Sequence, residues 1–267
     1  MTNSVKQLEL FPTPSNPDSA TMEKEFEKLL ESMGLTESKI LNDQVKFSKS
    51  VGYSDFENAH YTGYMEMPIL RTSKLIPKRV IPFSQAITLA NKHKGKSSFD
   101  YWVVFYEDDE KFIRFVNTPA NYLKTLKKFK GIISPDNSVH RDMPLGKQFT
   151  QIFLSRELAL YLNQNGIEII PNIRWGGPNT YPFCFDGIEH HSTVAVGTHG
   201  TVKNLLDRYF LFHGFKQMLN TLHPRNVILY GSLPKYMETL CHEQKIQVIH
   251  FKSQFAVARG ESAWEQE

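Results

Sequence analysis

Polar residues that could carry chemistry follow directly after several short apolar runs of this chain. Each run ends in a polar or glycine-rich cluster, and the runs are 102–106, 131–134, 167–171, 193–196 and 227–230. Short, uniformly apolar runs are typical of parallel strands that are buried on both faces. In α/β folds, ligands bind just beyond the carboxyl ends of such strands. The sequence therefore predicts a functional site where these runs end.

Asp136 follows the second of these runs and is the first candidate for catalysis. A carboxylate at a strand end can act as a general base, bind a metal ion or hold a ribose hydroxyl. Arg141, in the same loop, is a candidate for binding phosphate or for pairing with Asp142. The alternative for both aspartates is structural, because Asp after Pro stabilises turns and Asp142 precedes a predicted helix that it could cap.

Asn172, Arg174 and Trp175 follow the third run and are candidate ligand-binding residues. Arginine binds phosphate or carboxylate groups in a bidentate manner, and tryptophan offers a face on which a planar ligand can stack. In the alternative interpretation Arg174 is structural and pairs with a buried aspartate such as Asp136.

The glycine-rich segment 197–200 ends the fourth run and contains Thr198 and His199. Backbone N–H groups of such a loop can bind an anion, and histidine can act as a general acid or base. We therefore expect Thr198 to bind a ligand and His199 to be catalytic. At the end of the fifth run, Tyr230 and Ser232 are candidate ligand-binding residues for the same reason. The alternative in both places is a tight turn between strand and helix. Segment 197–200 is not a Walker loop, because no Lys-Ser/Thr pair closes it.

The acidic run that begins at Glu107 is the candidate for binding a divalent cation. Glu107 and Asp108, together with Asp136, could hold Mg²⁺, because hard cations favour carboxylate ligands. A solvated acidic turn is the alternative. The identity of any cofactor otherwise stays open. A structural zinc site is disfavoured because no Cys-x-x-Cys or His-x-x-x-His pair accompanies Cys184.

The composition is that of an ordinary globular domain. The chain has 267 residues with 40% hydrophobic content, which suffices for a core. Its 31 basic and 28 acidic residues give a net charge of +3, too mild to indicate nucleic-acid binding by itself. Lysines nevertheless crowd two segments, 74–96 and 124–130. The 2 cysteines indicate no disulfide framework and favour a reducing cytoplasm. We expect neither a membrane span nor a signal peptide.

From residue 84 onward, strand-like runs alternate with helix-like segments. This alternation predicts an α/β fold with a mainly parallel sheet, and both a TIM-barrel-like closure and an open doubly wound sheet fit it. We expect a flexible tail with one amphipathic helix at 1–45, a single α/β domain at 46–251 and a C-terminal tail at 252–267. Apolar residues at helical spacing indicate that the N-terminal helix lies within 21–34.

A set of short motifs in the body of the chain is specific when taken together. The motifs are Met67-Pro68, Ile81-Pro82-Phe83, Tyr106-Glu107-Asp108-Asp109, Gly131-Ile132-Ile133-Ser134-Pro135-Asp136, Arg141-Asp142-Met143-Pro144, Ile170-Pro171-Asn172-Ile173-Arg174-Trp175 and Tyr230-Gly231-Ser232. With these motifs the chain resembles a family of bacteria, phages and other mobile elements known as domain of unknown function 4417. The resemblance implies a phage or mobile-element context, and it implies no activity.

Three functional hypotheses remain open from the sequence. The first is an enzyme or sensor that binds a nucleotide-like, phosphate-bearing ligand at the strand ends. The second is a nucleic-acid-binding accessory protein of phage or plasmid replication or of phage–host conflict, supported by the lysine-rich segments and by aromatic residues that could stack on bases. The third is a module that binds a protein partner, or a second copy of the chain, through the N-terminal helix.

Overall fold

The computed structural model describes residues 59–198 and 205–254, together with Lys24, Lys28, Glu31 and Ser32. The chain divides into two compact units, Met1–Asp55 and Phe56–Glu267.

In the first unit, the few described residues are helical and exposed. The apolar positions of the predicted N-terminal helix lie outside the described residues. That helix, and its role in binding a partner, therefore stay predictions.

The described part of the second unit contains nine strands in three sheets. The strands are β1 (Tyr61–Thr62), β2 (Met67–Pro68), β3 (Val80–Pro82), β4 (Phe99–Val104), β5 (Phe129–Ile133), β6 (Ile169–Ile170), β7 (Thr193–Gly197), β8 (Asn226–Tyr230) and β9 (Gln247–Phe251). β1 and β2 form a small antiparallel sheet. The other two sheets are parallel, with the strand orders β3-β4-β5-β6 and β7-β8-β9.

Helices connect the parallel strands. The α-helices of the described second unit are α1 (Phe83–Lys92), α2 (Ile113–Asn117), α3 (Leu123–Leu126), α4 (Leu145–Gln164), α5 (Tyr181–Cys184), α6 (Leu205–Leu222) and α7 (Lys235–Glu243). Short 3₁₀ turns are found at Asp109–Lys111, Pro119–Tyr122 and Pro178–Thr180. The predicted α/β fold with parallel strands is therefore confirmed.

One bridge joins the two parallel sheets in the described part of the chain. Asn172 pairs with Ala195 of β7 in the parallel sense. The N–H of Ala195 donates to the carbonyl of Pro171 at 2.8 Å, and the N–H of Ile173 donates to the carbonyl of Ala195 at 2.8 Å. The segment after β6 therefore continues the hydrogen-bonded ladder from one sheet to the other.

The two faces of the strands pack against different partners. On one face, strand residues such as Val103 and Val194 pack in clusters that include residues of the long helices α4 and α6. On the other face, strand residues, together with Tyr106 just after β4, pack in a cluster that contains no residue of a described helix: Trp102, Val104, Tyr106, Ile133, Ile170, Ala195, Ile228, Tyr230 and Phe251. This second cluster draws residues from both parallel sheets, so strands of the two sheets pack against one another.

None of the helices in the described residues combines the length and the hydropathy that crossing a bilayer requires.

Candidate ligand-binding site

Asp136 and Arg174 meet beyond the carboxyl ends of β5 and β6. Arg174 Nε lies 3.4 Å from Asp136 Oδ1, and the two side chains are 20% and 9% exposed. Asn172 Nδ2 donates a hydrogen bond to the same carboxylate oxygen at 2.7 Å. Adjacent parallel strands present their ends side by side, which is why residues 38 positions apart in sequence can meet here. The ion pair with Asp136, which was the structural alternative for Arg174, is therefore present.

Asn172 is held from three directions. Its backbone N–H donates to Ser134 Oγ at 2.8 Å, and its Oδ1 accepts a hydrogen bond of 2.9 Å from the Tyr106 hydroxyl. Because Oδ1 accepts and Nδ2 donates, the orientation of the amide is determined by its partners. Burial, and then the charge of Asp136, raise the pKa of Tyr106 well above its usual value. The hydroxyl therefore stays protonated and acts as a donor.

Gly197, at the end of β7, allows the backbone to approach this network closely. A Cβ at this position would lie 2.6 Å from Cε1 of Tyr106, closer than real contacts permit, and 3.6 Å from Asp136 Oδ2. The Gly197 carbonyl also accepts a hydrogen bond of 3.2 Å from Arg174 Nη1. A glycine is required here because any side chain would displace the Tyr106 ring.

A cleft of about 120 Å³ opens beside Arg174. Its charged and aromatic lining consists of His140, Arg141, Arg174, Trp175, Asp207 and Phe210. These residues come from the loop after β5, the segment after β6 and the first half of α6. The lining contains two arginines, one histidine and the carboxylate of Asp207, and Arg174 is also paired with Asp136. Guanidinium groups of this kind can bind an anionic group.

Arg141 is held only loosely within this cleft. Its Nη2 lies 3.9 Å from Asp207 Oδ1, with side chains that are 41% and 29% exposed. Its Cζ lies 5.5 Å from the centroid of the Phe210 ring. Exposed ion pairs of this length contribute little to stability, so the guanidinium is free to turn toward a ligand at low cost.

Trp175 forms part of the cleft wall rather than a free stacking face. It is 9% exposed, and its Nε1 donates to the carbonyl of Phe210 at 3.0 Å. The ring lies against Gly214 of α6, where a Cβ would come within 2.0 Å of Nε1. The indole therefore fixes α6 against the segment after β6.

Thr198, Tyr230 and Ser232 join the ends of β7 and β8 instead of lining the cleft. The Thr198 hydroxyl donates to the carbonyl of Ser232 at 2.6 Å, and the Thr198 side chain is fully buried. Tyr230 stacks on Tyr106 with 4.6 Å between ring centroids. Burial raises the pKa of Tyr230 to about 12. Contacts of this kind stabilise the strand ends, so a direct ligand role for these residues stays a prediction without support from the geometry.

The predicted metal ligands have separate partners. Both oxygens of Glu107 accept from Ser84 at the start of α1, one from the backbone N–H at 2.8 Å and one from the hydroxyl at 2.6 Å. Asp108 lies 3.6 Å from Lys111 at the surface, and Asp136 faces Arg174. Among the described residues, no three His, Cys, Asp or Glu side chains are grouped so as to hold a metal ion. Glu107 thus stabilises the amino terminus of a helix.

His199 lies outside the described residues, and its catalytic role stays a prediction. Two residues that matter here were not assigned from the sequence. Tyr106 ends an apolar run and begins one of the family motifs, and His140 stands beside Arg141 in the loop that supplied Asp136. Both could have been found by asking which polar groups share a loop or a strand end with an assigned residue.

Together, the fold and the site define an α/β protein with an arginine-lined cleft at the carboxyl ends of parallel strands. The chain belongs to the family described as Domain of unknown function (DUF4417), whose family model matches residues 59–252. The resemblance seen in the sequence motifs is therefore confirmed.

Proteins of two phages are similar to the chain. The Gene 1 protein of Mycobacterium phage L5 is 27% identical over 195 residues, which cover 73% of this chain and 78% of the phage protein. The Gene 1 protein of Mycobacterium phage D29 is 27% identical over 195 residues, which cover 73% of this chain and 66% of that protein. No solved structure matches the chain. The phage context expected from the motifs agrees with these relatives.

Proposed function

We propose that this domain binds a small phosphate-bearing ligand in the cleft beside Arg174. The observation that carries the proposal is that Arg141, Arg174 and His140 line one cleft. The guanidinium group presents N–H donors in a planar fork that matches phosphate geometry. A phosphate is therefore the ligand group that this lining fits best.

The two arginines would contribute in different ways. Arg174 is already ordered by Asp136 and by the Gly197 carbonyl, so binding to it costs little side-chain entropy. Arg141 has one long ion pair and a ring contact, so it can close over a bound anion. We assign Asp136 the role of positioning Arg174, because its carboxylate is engaged by Asn172 and Arg174. The proposal concerns binding and includes no reaction step.

The size of the cleft limits the ligand. Its volume of about 120 Å³ is below the roughly 300 to 1,000 Å³ of a site that encloses a drug-sized molecule. A nucleotide-like ligand would be held by its phosphate, with the rest of the molecule outside the cleft. A small phosphorylated metabolite is the alternative within the same class.

The test is calorimetric titration of the protein with inorganic phosphate, adenosine monophosphate and adenosine. Arg174→Gln and Arg141→Gln are compared with Arg225→Gln, an exposed arginine just before β8, at the opposite end of the strands. We expect phosphate and the monophosphate to bind and adenosine not to bind. Because a hydrogen bond to a charged group contributes about 1.5 to 3 kcal/mol, each cleft variant should weaken binding about tenfold or more. Equal binding of adenosine, or equal affinity in all three variants, would overturn the proposal.

A second candidate function is the binding of nucleic acid, favoured by a specific contact. Lys128 Nζ donates to the carbonyl of Lys94 at 3.2 Å, so the two lysine-rich segments of the sequence lie together. They precede the parallel strands β4 and β5, whose amino ends are on the side opposite the cleft. Exposed cations at or near this end are Lys78, Arg79, Lys92, Lys94, Lys96, Lys124, Lys127 and Lys130. Arg79 lies over Tyr101 with 5.8 Å from Cζ to the ring centroid.

Salt dependence tests this second candidate. The affinity of a labelled oligonucleotide, single-stranded or double-stranded, is measured by fluorescence anisotropy across a range of salt concentrations. The double variant Lys94→Gln, Lys127→Gln should lower the slope of log affinity against log salt by about 1.4 to 1.8, since each phosphate contact contributes about 0.7 to 0.9. The matched control, Lys216→Gln with Lys235→Gln, should leave the slope unchanged. Absent or salt-independent binding, or equal slopes in both double variants, would exclude the candidate.

We also infer that β3 to β9 form one curved, barrel-like sheet rather than a doubly wound one. Support comes from the strand orders, which follow the chain order in both parallel sheets, whereas a doubly wound sheet reverses its order at a switch point. The Asn172–Ala195 bridge and the interior cluster shared by both sheets are further support. A crystal structure in which residues on this interior face were covered by helices would contradict the inference.

A further inference from the structure

Each arginine of the cleft faces a carboxylate. Arg174 Nε lies 3.4 Å from Asp136 Oδ1, and Arg141 Nη2 lies 3.9 Å from Asp207 Oδ1. Both arginines and Asp207 line the cleft. The formal charges cancel within each pair, so the two guanidinium groups bring hydrogen-bond donors to the cleft without a surplus of positive charge. His140 is the other basic residue of the described lining, and an imidazole carries a charge mainly below pH 7.

Asp207 places a negative charge in the wall of the cleft itself. It lies in the first turn of α6, where a carboxylate is favoured by the helix dipole. Its side chain is 29% exposed, and Phe210 and Leu211 of the same helix also line the cleft. A phosphate held by Arg141 would therefore have this carboxylate as a neighbour, because one guanidinium would face both groups.

A carboxylate in the wall acts differently on ligands of different charge, because its repulsion grows with the charge of the ligand. A phosphate monoester carries about two negative charges at pH 8, since its second ionisation has a pKa of about 6. A phosphate diester carries one, as in the backbone of nucleic acids. The second charge of a monoester would find both arginines of the cleft already compensated. That charge would gain little attraction and would add repulsion from Asp207.

We propose that Asp207 is a specificity-determining residue of the cleft, which selects phosphate diesters over phosphate monoesters. The inference rests on the proposed function, since it requires that the cleft binds a phosphate. Arg141 and Arg174 supply donors to the two unesterified oxygens of a diester, and Asp207 removes the advantage that the extra charge would give a monoester. The cleft of about 120 Å³ holds the phosphate group, and both ester substituents extend from it.

The test compares dimethyl phosphate with methyl phosphate by NMR titration of the full chain at pH 8. Wild type should bind the diester at least as tightly as the monoester. Asp207→Asn should shift the ratio of the two affinities toward the monoester about fivefold, the effect of removing one charge a few ångströms away in water. The control is Glu243→Gln, an exposed acid at the end of α7 that is not part of the cleft lining. It should keep the wild-type ratio.

The outcomes separate this inference from the proposed function. If neither ester binds, or if Arg174→Gln leaves both affinities unchanged, the proposed function fails and the inference fails with it. If both esters bind and Arg174→Gln weakens both, an unchanged ratio in Asp207→Asn overturns the selectivity alone. A wild-type preference for the monoester does the same, and this measurement decides the question even if Asp207→Asn does not fold.

Natural diesters then distinguish the sources of the ligand. Cyclic adenosine monophosphate represents cyclic nucleotides, the dinucleotide adenylyl-adenosine represents a nucleic-acid strand, and glycerophosphoglycerol represents a lipid headgroup. Tighter binding of one of them than of dimethyl phosphate supports the inference and identifies the source. Binding of none of them would overturn it.

Discussion

Asp136 Oδ1 and Arg174 Nε lie 3.4 Å apart, although the two residues follow different strands. Most of both side chains is buried. Each charge is therefore compensated mainly by the other rather than by water. A pair of this kind joins the stability of the domain to the geometry of the cleft, because Arg174 is also a cleft residue.

Asp136→Asn should destabilise the domain and leave Arg174 less firmly positioned in the cleft. Removing one partner of a fully buried pair costs about 3 to 5 kcal/mol, and the partial exposure of Arg174 lowers our expectation to about 1 to 3 kcal/mol. The free energy of unfolding is measured by urea titration. In a double-mutant cycle with Arg174→Gln, the double variant should lose less than the sum of the two single losses. Strict additivity would show that the two side chains do not depend on each other.

Gly197→Ala should destabilise the domain by about 1 to 3 kcal/mol, the usual cost of overpacking. The added Cβ would lie 2.6 Å from the Tyr106 ring, and the ring is held by Asn172 and Tyr230. The matched control is Gly146→Ala in α4, where a Cβ would meet nothing within 4 Å. That variant should be neutral or more stable by up to about 1 kcal/mol, since alanine is the better helix former. Equal effects of the two substitutions on urea unfolding would refute the steric argument.

Glu157 of α4 should make the domain less stable as pH rises from about 4.5 to 7. Burial raises the pKa of Glu157 from 4.5 to about 7 in the folded protein. The folded state therefore holds the proton more tightly than the unfolded chain. This contribution to stability is fully present below pH 4.5 and is lost as pH rises through 7.

Glu157→Gln tests this effect, because glutamine mimics the protonated acid at every pH. The variant should gain stability relative to wild type at pH 8 and little at pH 4.5, by urea unfolding at both values. Glu243→Gln on α7 is the control, and it should retain the wild-type difference between the two pH values. A gain that is the same at both pH values would mean that ionisation of Glu157 is not its source.

Cys184 and Cys241 should be inert to thiol reagents in the folded protein. Both are fully buried, and burial raises the pKa of the Cys184 thiol well above its usual value and that of Cys241 to about 12. The thiolate is the reactive form, so the rate at pH 8 should be far below that of a free cysteine. Ellman's reagent should titrate both thiols only after unfolding in urea. Reaction of either thiol within minutes in the native protein would contradict this expectation.

The proximity of Asp136, Asn172 and Arg174 could be predicted from the sequence by a single rule about parallel strands. Apolar runs of strand length alternate with helical segments, and the carboxyl ends of neighbouring parallel strands lie side by side. The polar residues just after two such runs therefore had to be close in space. No knowledge of side-chain packing was needed.

The sequence could not predict which polar residues face the cleft. Trp175 packs into the cleft wall because Gly214 of α6 leaves room for its ring. Gly214 is 39 positions away, and nothing in the sequence marks it as a neighbour of Trp175. Glu107 is occupied by Ser84 at the start of α1, a contact between segments that a pattern of charges does not reveal. Arg156 lies within a predicted helix, and only the packing of α4 shows it to be buried. Orientation at a strand end depends on the helices that cover it.

Asn172 contributes both to the joining of the two sheets and to the polar network at the cleft. Its backbone forms the bridge to Ala195 that joins the two parallel sheets, and its side chain holds the carboxylate of Asp136. A movement that broke the Asn172–Ala195 bridge would therefore displace Asp136, and with it Arg174. Through Asn172, a displacement between the two parallel sheets would therefore be transmitted to the position of the Arg174 guanidinium in the cleft.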